Sequence, residues 1–411
     1  MGSAADVIVV GGGVIGCAVA YELSKRAIRV QVLDKSYPGR ASSASAGGLW
    51  PIGEAVGLGC GVIYHAAKVG LGAATGKGPE PLPDAFRDFL VRSNARFPAL
   101  TSELRETAGV DIEYSSGTGL LFVFGNDREK GFVQSLRQSL PRSVRLEILN
   151  GEDALGLEPE LRPDILGAAH LPGEHQVNPM LLTEAFKRAA IRRGAKFRPE
   201  TAVTVLRRKG DRVLGVEAGG ERLECDVVVN AAGAWAGRLA ATVHIDLPVQ
   251  PVRGQIVLTE ALPAMLRACL STSKCYLAQK SHGEVLIGST TEHVGFDVSV
   301  TPDAVRSLCR GAVQTVPALA KASVKRIWAG LRPGTPDELP ILGPVDGLQG
   351  YMNAAGGFRT GIVASPLTGE LVAQLVTGET PSVSPEPFLA ARFAPRTQNH
   401  VGHTAASAGA L

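Results

Sequence analysis

Four consecutive apolar residues, Val7 to Val10, follow the acidic Asp6 and predict a strand covered on both faces. The period then changes. After a glycine-rich turn, Cys17 to about Arg26 carries a helical distribution of apolar residues, and Arg29 to Asp34 returns to a strand. From Asp84 to Ala108, the residues Phe86, Leu90, Phe97, Leu100 and Leu104 form a helical stripe broken near Pro98, so two helices are expected. Leu120 to Phe124 reads as a strand, and Gly151 to Pro163 as a short helix and turn. A further helix is predicted from about Pro179 to Arg193, with Leu182, Ala185, Phe186 and Ala189 on one face and Gly194 as its stop.

The second half is strand-rich. Ala202 to Leu206, Arg212 to Ala218 and Arg222 to Asn230 are three strand-like runs divided by Gly-containing turns, which predicts a small meander. Gly254 to Thr259, Cys275 to Ala278, Glu284 to Gly288 and Val324 to Pro333 alternate as expected of an antiparallel sheet half exposed to a cavity. Gly350 to Gly361 and a last helix to about Val376 repeat the strand, Gly-rich turn and helix of the opening. Between Gly53 and Pro83, eight glycines and little periodicity predict a long loop that is either functional or ordered by something outside the chain. Beyond Phe393 the residues are small and polar and are expected to be disordered.

Length and composition narrow the class. A chain of 411 residues, 45% hydrophobic and 20% charged, has the size of two domains, or of one cofactor domain with a large insertion. Its formal net charge of +3 is too small to point to nucleic acid or an acidic membrane. The six cysteines (Cys17, Cys60, Cys225, Cys269, Cys275, Cys309) lack metal-ligand spacing and read as reduced thiols of a cytoplasmic protein. No metal site, signal peptide or membrane span is expected.

The opening turn carries the first chemistry. Gly11, Gly13 and Gly16 fill a G-x-G-x-x-G spacing between strand and helix: Gly11 permits the turn, Gly13 lets the backbone approach a pyrophosphate, and Gly16 lets the helix pack closely on the strand. Phosphates are favoured at the helix N-terminus. Asp34, 21 residues beyond Gly13, is placed to accept from a ribose hydroxyl. The Ser/Ala/Gly run from Ala41 to Leu49 reads as a loop wrapping a phosphate or sugar, or as a flexible linker. A second apolar strand runs into Ala232, Gly233 and Trp235, about 220 residues later, and suggests another loop at the same ligand.

Taken together, these motifs, with Trp328 to Pro333 and Gly357 to Gly361, resemble the D-amino-acid oxidase, glycine oxidase and sarcosine oxidase family of FAD enzymes, from about residue 5 to residue 393. More narrowly, Ala46 to Gly61 and Pro336 to Pro344 are similar to the flavin subunits of hydrogen cyanide synthase, opine oxidase and D-hydroxyproline dehydrogenase. The resemblance implies an α/β two-domain fold, with a Rossmann-like FAD-binding domain of the glutathione-reductase type and an inserted antiparallel-sheet substrate domain. The expected division gives residues 1–83, 164–245 and 330–393 to FAD, 84–163 and 246–329 to the substrate, and 394–411 to the tail. It implies non-covalent FAD along Val14, Ile15, Asp34, Lys35, Ser42, Ser43, Gly47, Gly48 and Leu49, with Val203 at the adenine. Gly357, Phe358, Arg359, Thr360, Gly361 and Ile362 would lie along the flavin ring.

The implied reaction removes a hydride from the carbon bearing nitrogen of an amino acid or opine and leaves an imine for water to hydrolyse. Such chemistry needs a fixed cation and a shaped pocket more than an acid–base set. Arg332, on a rigid strand end before Pro333, is the candidate for the substrate carboxylate, against an ordinary surface ion pair. Tyr276 is a candidate second partner, or a half-buried strand tyrosine. Arg359 faces either the flavin edge or the substrate. Glu54 and Cys60 lie near the substrate mouth or a partner, and His175 reads as a structural histidine rather than a base or attachment point. The resemblance also implies a hetero-oligomer with iron–sulfur companions, sometimes with FMN held at an interface, since the chain has no cluster spacing of its own. The alternatives are a stand-alone glycine or D-amino-acid oxidase making hydrogen peroxide, the glycine-oxidising subunit of a hydrogen cyanide synthase, an NAD-linked dehydrogenase, and a silent flavin scaffold.

Overall fold

Val7–Val10 forms the middle of a parallel layer in the structure, a computed structural model that describes residues 5–69 and 79–394. It pairs in parallel with Val227–Asn230 on one side and Val30–Leu33 on the other. Leu348–Ala355 and Lys196–Arg198 extend the layer outward, also in parallel. Ile341–Val345 adds an antiparallel strand, completing with the strands between Val203 and Glu224 a nine-stranded sheet. Period-2 alternation divides the opening strand between two cores, with Val7 and Val9 packing on one face and Ile8 and Val10 on the other.

The helices of this half form as their apolar spacing requires. Val14–Lys25 packs against Pro179–Arg192 and Gly361–Thr377. A Cβ at Gly369 would stand 2.8 Å from the Ala18 backbone, so this glycine sets how closely two of these helices approach. Pro366 removes one helical N–H, and the Ser365 hydroxyl donates to the Ile362 carbonyl left without it, at 2.8 Å. Asp84–Asn94 and Phe97–Ala108 also bury Phe86, Phe89, Leu90, Phe97 and Leu104 in this core. Residues 84–108 were expected with the substrate half; their apolar stripe packs instead on the helices that cover the parallel sheet.

The second layer is an eight-stranded sheet containing Leu120–Phe124, Glu147–Asn150, Gly167–Leu171, Gln250–Ala261, Cys269–Ser271, Tyr276–Gln279, Glu284–Gly288 and Val324–Gly334. Gly167–Leu171 thus belongs to this sheet and not to the cofactor half, where residues 164–245 were expected as a block; it pairs along its length with Leu120–Phe124. Asp127–Ser139 covers one face through Val133 and Leu136, and Pro302–Thr315 covers the other through Leu308 and Ala312. These two helices lie beyond the pattern reading, although Asn126 and Thr301 cap them with side-chain oxygens.

Two other expectations are corrected. The run Arg222 to Asn230 is two strands: Glu221–Glu224 folds back antiparallel on Arg212–Ala218, and Val227–Asn230 enters the parallel sheet. Between them the chain changes partner: the Cys225 N–H still donates to the Leu214 carbonyl, and the Asp226 N–H donates to the Asp6 carbonyl. The segment after Gly53 is not a structureless loop, because Pro51–Ala55 and Cys60–Val69 are helices. Its glycines provide clearance: a Cβ at Gly53 would meet the Leu120 side chain at 2.7 Å. Residues 70–78 of that segment, and the tail from 395 expected to be disordered, lie outside the described residues.

Candidate active site

A cavity of about 390 Å³ runs from the opening turn to the inner end of the second sheet. At its first end the glycines act as their spacing predicts. Gly11 has φ +107°, and a Cβ there would lie 2.4 Å from the Ala231 carbonyl oxygen. A Cβ at Gly16 would lie 1.9 Å from the Gly11 carbonyl oxygen, so this residue packs the helix on the strand and does not reach the cavity. The Val14 N–H donates to Ser42 Oγ at 2.9 Å, which places the short helix Ala41–Ala44 over the first turn of Val14–Lys25. Asp34 accepts from the Gly12 N–H at 2.8 Å and from Arg40 at 2.5 Å, and this ion pair closes the wall.

Most of the residues expected at FAD line this cavity: Gly11, Gly13, Val14, Ile15, Asp34, Lys35, Ser42, Gly48, Val203, Ala232, Gly233, Trp235, Gly357, Phe358, Arg359, Gly361 and Ile362. Four more besides Gly16 were expected but are missing from its lining. Ser43 is exposed and donates to the Arg40 carbonyl at 3.1 Å. Gly47 backs onto the Val177 carbonyl, and Leu49 points into the helical core. Thr360 turns its hydroxyl onto the Gly357 carbonyl at 3.1 Å as its chain enters Gly361–Thr377. Gly16 has been accounted for above. The sequence reading missed Tyr37, which stacks on Trp235 with ring centroids 4.8 Å apart, and Arg40 and Arg238 in the same wall. The Tyr37 and Arg40 signals were available in the turn after Asp34; nothing in the sequence points to Arg238.

At the other end the structure brings together Arg332, Tyr276, Arg359, Glu54 and Cys60. Arg332 and Tyr276 come from the eight-stranded sheet, where Arg332 is opposite Val252 and Tyr276 is opposite Gly288. The Arg332 guanidinium donates to the Thr290 carbonyl at 3.2 Å and to the Ser289 hydroxyl. A Cβ at Gly254 would stand 2.4 Å from both of its terminal nitrogens. Tyr276 is buried rather than half-buried, at 3% exposure, and its edge meets Trp50 at 5.7 Å. Burial holds its phenol well above the usual range. Arg359, with its side chain 5% exposed, pairs with Glu338 and lies 3.7 Å from Glu54. Burial first, and then the Glu54 charge, push the Cys60 thiol well up, which makes it a poor nucleophile.

The model of the DAO family, described as FAD dependent oxidoreductase, matches residues 6–375. The chain belongs to this family. It is an FAD-dependent oxidoreductase, and the α/β two-domain architecture is that of the family's solved members. Hydrogen cyanide synthase subunit HcnC of Pseudomonas aeruginosa is 46% identical over 95% of this chain and 96% of its own. Glycine oxidase of Pseudomonas putida is 32% identical over 93% of this chain and 97% of its own. The crystal structure of glycine oxidase from Geobacillus kaustophilus superimposes with a TM-score of 0.82 at 33% identity, covering 94% of this chain and 98% of that one.

The cavity fits FAD. Its first end is a cradle in which the absence of a side chain at Gly11 and Gly13 leaves backbone exposed beside a helix N-terminus, which suits a pyrophosphate. The flavin would then reach the end carrying Arg332 and Arg359. Behind the wall made by Ala46, a second cavity of about 450 Å³ is lined by Glu113, His175, Gln176, Lys280 and His282. Lys280 donates to the Ala46 carbonyl at 2.5 Å and to Gln176 at 3.0 Å, and burial holds its pKa below the usual lysine range. His175 lies in this second cavity, against the Ser116 carbonyl at 3.3 Å, and is absent from the first. All six cysteines are free. Among the described residues no helix is long and apolar enough to cross a membrane.

Proposed function

We propose that this enzyme oxidises the C–N bond of a small α-amino acid and works as the flavin subunit of a heteromeric dehydrogenase. The observation that carries the reading is the Arg332 guanidinium, anchored by Ser289 and Thr290 and given clearance by Gly254 at the end of the cavity away from the dinucleotide turn. A planar cation held in this way selects a carboxylate bidentately. Tyr276, kept protonated by burial, adds a phenolic donor.

Bound FAD, held without a covalent bond, supplies the hydride acceptor. The protein's residues hold the substrate carboxylate, exclude water with Trp50, Ile256 and Tyr276, and fix the carbon bearing nitrogen against the acceptor. Once the bound ammonium has given up one proton, the carbon–hydrogen electron pair leaves as hydride and the freed nitrogen lone pair forms the imine, which water hydrolyses.

The heteromeric part is supported by the 46% identity to a chain that is itself a synthase subunit. In this reading iron–sulfur companions take the electrons onward, and the second cavity, one Lys280 away from the first, offers a place for an FMN at the shared interface. The similarity to glycine oxidases favours glycine over opines and D-hydroxyproline, and it also favours a second reading, a stand-alone oxidase. Anaerobic mixing with glycine, sarcosine, D-hydroxyproline, octopine and nopaline tests the first part: one of them bleaches the flavin, and a flavin that stays yellow with all of them rejects it. Air then separates the two readings. The isolated heteromeric subunit makes little peroxide and gains turnover on co-expression with its companions, whereas the oxidase makes peroxide stoichiometrically alone.

A further inference from the structure

Glu54 is 4% exposed in the cavity wall. Its Oε1 accepts from the Cys60 N–H at 2.8 Å and so caps the helix Cys60–Val69. Its Oε2 has no hydrogen-bond partner among the described residues. The nearest cation, Arg359 Nη1, stands 3.7 Å away, too far for a hydrogen bond, and has no hydrogen-bond partner among the described residues. Arg359 is held in place by Glu338 and lies over the Tyr64 ring, its carbon 5.6 Å from the centroid. The position of Glu54 is built. A Cβ at Gly59 would lie 2.6 Å from its Oε1, and one at Gly61 would lie 2.6 Å from Arg359 Nη1, so two glycines keep this carboxylate and guanidinium side by side in the wall. The short helix Pro51–Ala55 that carries Glu54 is tied at its start by Glu174, which accepts from the Ile52 N–H at 3.1 Å and the Gly53 N–H at 3.4 Å.

A buried carboxylate oxygen without a donor is costly to hold. In this cavity the missing donor has a natural source, because an α-amino acid whose carboxylate lies on Arg332 carries a cationic N–H group one carbon away. We propose that Glu54 binds the substrate's ammonium group, so that the enzyme takes its amino acid as a zwitterion and rejects the corresponding α-hydroxy acid. The inference rests on the amino-acid reading above and adds to it the residue that recognises nitrogen. A hydroxyl supplies one neutral donor to Oε2 where an ammonium supplies a charge-assisted one, which is the stronger bond. The other ionisable groups facing this corner are Arg332, Arg359, Glu338, Glu174, Tyr64, Tyr276 and Cys60. Burial pushes the phenols and the thiol upward, away from the neutral range.

The test uses the FAD-loaded enzyme, the amino acid that bleaches it fastest, and the α-hydroxy acid of the same skeleton. The dissociation constant of the amino acid comes from the concentration dependence of anaerobic bleaching, and that of the hydroxy acid from competition. Glu54→Gln keeps an oxygen for the Cys60 N–H; it is expected to weaken the amino acid about tenfold or more and to leave the hydroxy acid within about twofold. Equal loss of both, or of neither, overturns the proposal. The wild-type enzyme gives a second answer should Glu54→Gln fail to hold FAD. Below the pKa of the substrate amine, binding of a zwitterion is flat with pH. An affinity that rises tenfold per pH unit across that range would mean that the neutral amine binds, and would overturn the assignment. If no amino acid bleaches the wild type, the functional reading falls and this one with it; bleaching without the Glu54 effect removes this one alone.

Discussion

At the dinucleotide end of the cavity, Gly11 and Gly13 expose backbone, with the Ala231 carbonyl 2.4 Å and Ser42 Oγ 3.1 Å from where their side chains would begin. At the opposite end, glycine makes room for side chains: Gly254 for Arg332, Gly288 for Tyr276, Gly59 for Glu54 and Gly61 for Arg359, each with a Cβ position within 2.6 Å of the polar side chain it accommodates. The first use is local, because turn, strand and helix follow one another in sequence, and so it leaves a fixed spacing. In three of the four pairs the second joins residues far apart in sequence, such as Gly254 with Arg332 across one strand pair, and leaves no spacing; only Gly59 and Glu54 are near neighbours in the chain. One cavity therefore has an end that any member of a broad cofactor class would share and an end whose chemistry is particular to the chain.

The largest effect expected from this contrast comes from a pair of substitutions. Gly11→Val drives a side chain into backbone at positive φ, at a cost of about 4 kcal/mol from strain and overpacking, and the purified protein should be colourless. Gly254→Val, which meets only the end of the Arg332 side chain, should retain stoichiometric FAD by absorbance and lose roughly a hundredfold in kcat/KM. Loss of FAD in both variants would erase the distinction between the two ends.

Arg332→Met sharpens the comparison from the substrate side. It should lower carboxylate affinity by about 3 kcal/mol while FAD stays bound, as read from titration of the flavin spectrum with substrate-like carboxylates. An unchanged titration would move the carboxylate to Arg359. Asp34→Ala is the mirror experiment: it removes the acceptor of the Gly12 N–H and the partner of Arg40, and should weaken FAD by about 1 to 2 kcal/mol without altering the substrate constant of the refilled enzyme.

The smallest effect concerns the support beneath Glu54. Burial holds the Glu174 carboxyl well above the usual range, so the folded chain keeps a proton there that the unfolded chain releases above its ordinary pKa of about 4.3. The stability this contributes is complete below that pH and is lost as pH rises through the folded-state pKa. Glu174→Gln should therefore flatten the fall in Tm from about pH 4.3 upward. A Tm profile parallel to the wild type's would show that Glu174 does not titrate separately in the fold.

The βαβ opening, the cofactor class and the alternating strands were legible because each depends on residues within about 30 positions of one another, over which periodicity and spacing report directly on burial. Gly11, Gly13, Asp34 and Val203 line the cavity. Thr360 and Ser43 carry the same kind of signal and turn away, because the choice between facing a ligand and capping a nearby carbonyl is made by the backbone around them. The Gly53 to Pro83 stretch looked structureless because its glycines break periodicity, yet their clearances are set by Leu120, Glu54 and Arg359, two of these three lying more than 60 residues away. Chain order by itself determined the strand, glycine turn and helix of the opening and the parallel strand that follows them. Only the tertiary structure decided that Arg332, Tyr276, Arg359 and Glu54 meet in the wall of one cavity, since their nearness is a matter of sheet register and packing, and neither leaves a trace in the spacing of the residues.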